Sequence, residues 1–158
     1  MEGNKRYDGK LKQALLKWVV LCFLLVPGLK CIGQDSTLTA ISNPRGAPPE
    51  MKMSELRSVL MGEKQRWNDG TKVVIAMLKS TTPLGEVISK RVYSMSGDGV
   101  RGFWARISFA GKYDLPNVFN NVSELENFVA QNPGAIAILG RPSGNDVRVV
   151  LIDGKKAF

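Results

Sequence analysis

The chain has 158 residues, 22 of them basic and 14 acidic, with two cysteines and no histidine. The missing histidine removes Ser-His-Asp and Cys-His nucleophile systems, the usual neutral-pH general base and most zinc sites. No close pair of acids framed by apolar neighbours takes their place, so the chain reads as a non-enzyme with no catalytic residue, no metal ligand set and no cofactor.

Residues 1–33 read as a signal peptide. Lys5, Arg6, Lys10, Lys12 and Lys17 precede an unbroken apolar run over 18–26, which Pro27 and Gly28 close, the order of a secretory signal. The run is well short of the roughly 20 residues a spanning helix needs. Cys31 and Gly33 are small enough for signal peptidase, which gives a mature chain starting at Gln34. Acylation at Cys31 is disfavoured by Lys30 just before it, and an uncleaved anchor is the remaining alternative; membrane contact would come only through such an uncleaved signal.

The signal carries six basic and two acidic residues, so the formal charge of +8 falls to 16 against 12 over residues 34–158. These charges are scattered and do not interleave with aromatics, which excludes nucleic acid as a partner. Both cysteines fall inside the signal, leaving residues 34–158 without thiol or disulfide, and their length suits one domain with one core.

Residues 37–41 predict a short strand, and the three prolines and one glycine of 43–49 a loop. Ser54 is expected to cap a helix with Leu56, Val59 and Leu60 inward, stopped by Gly62. After the turn Trp67-Asn68-Asp69-Gly70, the run 73–78 predicts a strand buried on both faces. Thr82 and Pro83 open the next helix as N-cap and first residue, with Leu84, Val87, Ile88 and Val92 inward. Val100, Phe103, Trp104 and Ile107 lie at i, i+3, i+4 and i+7 of a further amphipathic helix. A last helix from about Ser123 buries Leu125, Phe128 and Val129 and ends at Asn132-Pro133-Gly134. Residues 135–139 and 147–152 are closing strands joined by the turn-rich segment 141–146. The order β-α-β-α-α-α-β-β implies an α/β fold, a small mixed sheet flanked by helices.

Several strings are familiar together. Met53-Ser54-Glu55-Leu56-Arg57-Ser58-Val59-Leu60-Met61-Gly62 and Arg66-Trp67-Asn68-Asp69-Gly70-Thr71, following a strand that ends in Asn43-Pro44, resemble the phosphate-type periplasmic substrate-binding proteins of ABC transporters. In that family a helix S-x-x-x-L-x-x-I-F-x-G precedes a W-x-D/N-G-T turn. Phe103-Trp104-Ala105-Arg106-Ile107-Ser108-Phe109-Ala110-Gly111 is similar to the W-A-R-x-x-F-x-G of short members, and Pro133-Gly134-Ala135-Ile136-Ala137 to their P-G-A-I-G.

The resemblance implies a type 2 periplasmic-binding-protein-like (PBP-like) domain over 34–158, a single lobe by its length, in the periplasm. Its ligand would be a small oxyanion such as phosphate, held by N–H groups and hydroxyls at helix starts, and its partner a transporter, sensor or other envelope protein. Ser80, Thr81 and Thr82 would form the anion cradle, or else an ordinary N-cap. Ser42 and Asn43 would face the same crevice, or else form an Asx-Pro turn. Gly85 stands where the family places Arg, and Glu86 next to it would repel an incoming anion. The alternative is an envelope module that has lost its ligand and serves a structural or protein-interaction role.

Trp104 belongs to an inner stripe, whereas Trp67, in a polar turn, either folds back or is exposed and used. Lys90, Arg91, Arg101 and Arg106 form a solvated helix face or a dock for an acidic partner.

The mature protein is expected to start within about two residues of Gln34. Mass spectrometry of protein from the native envelope checks this; an intact Met1 or a diacylated Cys31 would refute it.

Overall fold

The computed structural model describes residues 37–158 except Lys112 and Asn145. The signal and its cleavage point lie outside the described residues. Among these, no helix is long and apolar enough to cross a membrane.

The strands are β1 (Thr39–Ser42), β2 (Glu50–Met51), β3 (Val74–Leu78), β4 (Asn117–Phe119), β5 (Ala135–Leu139) and β6 (Arg148–Ile152). The helices are α1 (Met53–Leu60), α2 (Pro83–Arg91), α3 (Gly97–Ala110) and α4 (Val122–Gln131). The strands form one six-stranded sheet in the order β2-β6-β1-β5-β3-β4. β1 runs antiparallel to both its neighbours, while β2 with β6, β5 with β3, and β3 with β4 are parallel. The expected mixed α/β sheet with flanking helices is therefore what the chain forms.

β5 has no side of its own in contact with water, all five residues being buried, which suits its place in mid-sheet. Register puts Ser42, Ile136 and Ile75 level across β1, β5 and β3, so by strand alternation Ile75, Met77, Ile136 and Ile138 share one face. Ile138 and Met77 pack there with Leu60 of α1 and with Ile88 and Ser89 of α2. On the opposite face α4 packs over β5, β3, β4 and β1, and Phe128 meets Phe119 at 5.0 Å between ring centroids.

α2 begins as expected. Thr82 Oγ1 accepts from Gly85 N at 3.0 Å, and Pro83 is the first helical residue. α3 buries Val100 and Trp104, with Phe103 and Ile107 half-buried beside them. Trp104 stacks edge-on against Phe103 at 5.2 Å, and its ring covers Gly62. Trp67, ambiguous in sequence, is core: it is 2% exposed, and its Nε1 donates to Gly134 O at 2.9 Å.

Three expectations need correction. α1 is capped at Lys52, not Ser54, with no side-chain cap of its own; Asp153 supplies an acceptor to Met53 N at 3.3 Å from the end of β6. This happens because β2, pairing with β6, delivers the chain directly into the helix. The strands β2 and β4 are additions. Both are too short to show a hydrophobic period and follow prolines, and each exists because a neighbour supplies a ladder: Leu151 N donates to Pro49 O and Lys79 N to Phe119 O. Proline at the start of an edge strand costs no ladder bond.

Trp104→Ala should cost roughly 3–5 kcal/mol, as large-to-small core changes do, while Arg101→Ala on the exposed side of α3 should cost under about 0.5 kcal/mol. Equal urea midpoints for the two variants would contradict this packing.

Candidate functional site

The residues expected to share a crevice sit at opposite ends of the sheet. Ser42 is level with Ile75 across β5, whereas Ser80 lies five residues further along and past β3, a separation of roughly 15 Å at strand rise. Because β1 is antiparallel to β5, its C-terminal end meets the N-terminal ends of the other strands. The expected shared crevice required a parallel β1, and the topology does not provide it.

At the Ser42 end the chain is stitched shut. Asn43 Nδ2 donates to Val129 O at 3.0 Å and Ala130 O at 2.7 Å, closing the last turn of α4. Its Oδ1 accepts from Arg45 N at 2.9 Å, the Asx turn that was the alternative reading. Ser42 is fully buried and its Oγ has no hydrogen-bond partner.

Ser80, Thr81 and Thr82 lie at the other end, between β3 and α2, and these three are brought together. Thr82 is fully engaged, since besides capping Gly85 its hydroxyl donates to Lys79 O at 2.8 Å. Thr81 is exposed. Ser80 is 4% exposed and its Oγ has no partner. A buried unpaired hydroxyl costs about 1–3 kcal/mol, so it marks a place where a partner would be gained.

Two features shape the helix starts there. A β-carbon on Gly85 would overlap the Lys79 carbonyl oxygen, so this position is held to glycine by close approach, and no arginine fits where the resembling family carries one. Glu86 does not point at the α2 start. Its Oε2 accepts from Gly97 N at 3.0 Å, and its Oε1 pairs with Lys90 at 3.2 Å. The carboxylate thus occupies the positive end of α3 that a free anion would otherwise seek.

Beside Ser80 an apolar groove of about 420 Å³ opens between α3 and the edge strand β4. Met77, Val100, Trp104, Pro116 and Val118 form its apolar walls, and Lys79, Arg101 and Asn120 stand in the lining with Ser80. The groove exists because α3 covers Met77 and stops short of β4, leaving Val118 56% exposed. Trp104 Nε1 has no hydrogen-bond partner, nor has the hydroxyl of Tyr93. Burial pushes the Tyr93 pKa up, and the nearby Trp104 indole acts in the opposite direction as the smaller effect.

The groove leaves only slight signals in the sequence: a lysine directly before Ser80, and the short apolar pair Val118-Phe119 between asparagines. Of the basic set on the helices, Lys90 and Arg101 hold exposed ion pairs with Glu86 and Asp98.

Glu86→Ala would leave Gly97 N without its acceptor. Loss of a cap of this kind should lower stability by about 0.5–2 kcal/mol and speed hydrogen exchange at Gly97. Unchanged exchange there would contradict the assigned capping role.

No protein-family model and no curated protein matches the sequence. Among solved structures, the fold is similar to an ABC-type phosphate transport receptor from Vibrio cholerae, with 11% identity over 77% of this chain and 48% of that one and a TM-score of 0.61. It is also similar to PstS from Borrelia burgdorferi, with 12% identity over 75% of this chain and 48% of that one and a TM-score of 0.56. The chain spans about half the length of each. At such identities the likeness is one of fold alone: the chain shares the mixed α/β fold of about half of each of these structures.

Proposed function

We propose that the chain is an exported solute-binding domain that takes a small oxyanion such as phosphate weakly at the loop Ser80-Thr81-Thr82. The observation that carries this reading is the buried, unpaired Ser80 hydroxyl at the end of β3, beside the start of α2. Ligands in α/β sheets gather at the carboxyl ends of strands, where helix starts supply N–H donors, and the likeness in fold to an ABC-type phosphate transport receptor supports an oxyanion as the ligand class.

Weakness follows from the local chemistry. Thr82 spends its hydroxyl on the backbone, and Gly85 has no room for the side chain of a cationic residue. In this reading Ser42 and Asn43 take no part, being at the far end and, for Asn43, already bonded.

A second reading, an envelope interaction module without ligand, draws on exposed apolar residues. Phe109 at the end of α3 is 92% exposed, with Leu115 and Val118 exposed on and before β4.

Titration of phosphate, sulfate and molybdate into envelope-purified protein, followed by amide NMR, separates the two. Dissociation constants no tighter than about 0.1 mM are expected, roughly 5 kcal/mol, with shifts concentrated between Ser80 and Glu86. If none of these amides moves at about 10 mM of any oxyanion, the interaction module becomes the better account.

A further inference from the structure

We propose that the solute taken at this end carries an apolar group as well as its negative charge: an amphiphilic anion such as an aryl or short-chain alkyl phosphate, its body in the groove between α3 and β4. The inference rests on the oxyanion reading for the charged head and adds the body.

A bare oxyanion has no use for the groove. At about 420 Å³ the space is within the roughly 300–1,000 Å³ typical of small-molecule sites. Its walls are the side chains of Met77, Val100, Trp104 and Val118, which a hydrated phosphate would only desolvate against. An aromatic ring or a short chain would instead remove this surface from water and gain from it.

The polar residues of the same lining give the ligand its sign. Lys79 and Arg101 bring two cations. Arg101 Nη2 pairs with Asp98 at 2.6 Å, both side chains more than half exposed, and a pair of that exposure holds its guanidinium only weakly. Ser80, in the lining between β3 and α2, keeps its hydroxyl buried and without a partner. Apolar walls with a few polar groups are what orient an amphiphilic ligand.

The test titrates inorganic phosphate, phenyl phosphate and phenol in parallel into the isotope-labelled, envelope-purified protein. It follows the Ser80–Glu86 amides, the Trp104 indole N–H and the Val118 methyls. Phenyl phosphate should bind about tenfold or more tightly than phosphate, because it adds a ring's worth of apolar burial, and should shift Trp104 and Val118 as well as the loop. Val118→Asn should remove most of that preference and leave phosphate unchanged, and Arg101→Gln should weaken phenyl phosphate at least threefold. If phosphate and phenyl phosphate bind equally, with Trp104 and Val118 unmoved, the inference fails and the oxyanion reading stands. If phenol binds as well as phenyl phosphate while phosphate is silent, the charged head is refuted and both fail. Silence of all three probes overturns both.

Discussion

Gly134 is the knot on which the sheet depends. Its carbonyl accepts from Trp67 Nε1 at 2.9 Å and from Val74 N at 3.1 Å, and its amide donates to Arg45 O at 2.8 Å. The segments around Arg45 and around Trp67 to Val74, distant from it in the chain, are tied to this one residue at the entry to β5. The residue has φ +79°, and a β-carbon there would overlap the Lys72 carbonyl oxygen. Backbone conformation and close approach therefore both demand glycine. Trp67 is buried against this junction and Asn43 closes α4 beside it, so the entry to β5 is held by hydrogen bonds within the protein.

The opposite end is built differently. There the sheet ends in Ser80 and Thr81, the α2 start is capped by Thr82, and the α3 start is occupied by Glu86. The two helix starts that could serve an anion are thus partly satisfied by the protein itself, which keeps the fold stable without a ligand and lowers what a ligand can gain. Ser42 and Ser80 both keep unpaired hydroxyls, and Ser80 is the one of the two that lines the open groove beside β4.

The sequence by itself determined the elements whose cause is local. The i, i+3, i+4 spacing marked α3, the Thr82-Pro83 pair marked the start of α2, and the apolar runs marked β3 and β5, because each signal lies within one or two turns of its own element. It could not determine what depends on partners far along the chain. β2 and β4 are strands only because β6 and β3 offer them ladders. The start of α1 is served by Asp153 instead of Ser54, and Trp67 is core because Gly134 accepts its indole N–H. Above all, the antiparallel direction of β1 separates Ser42 and Asn43 from Ser80, Thr81 and Thr82, although both groups stand at or just past the end of a strand. Strand direction is decided by which neighbour a strand pairs with, and that choice is made by the packed sheet, not by the few residues of the strand.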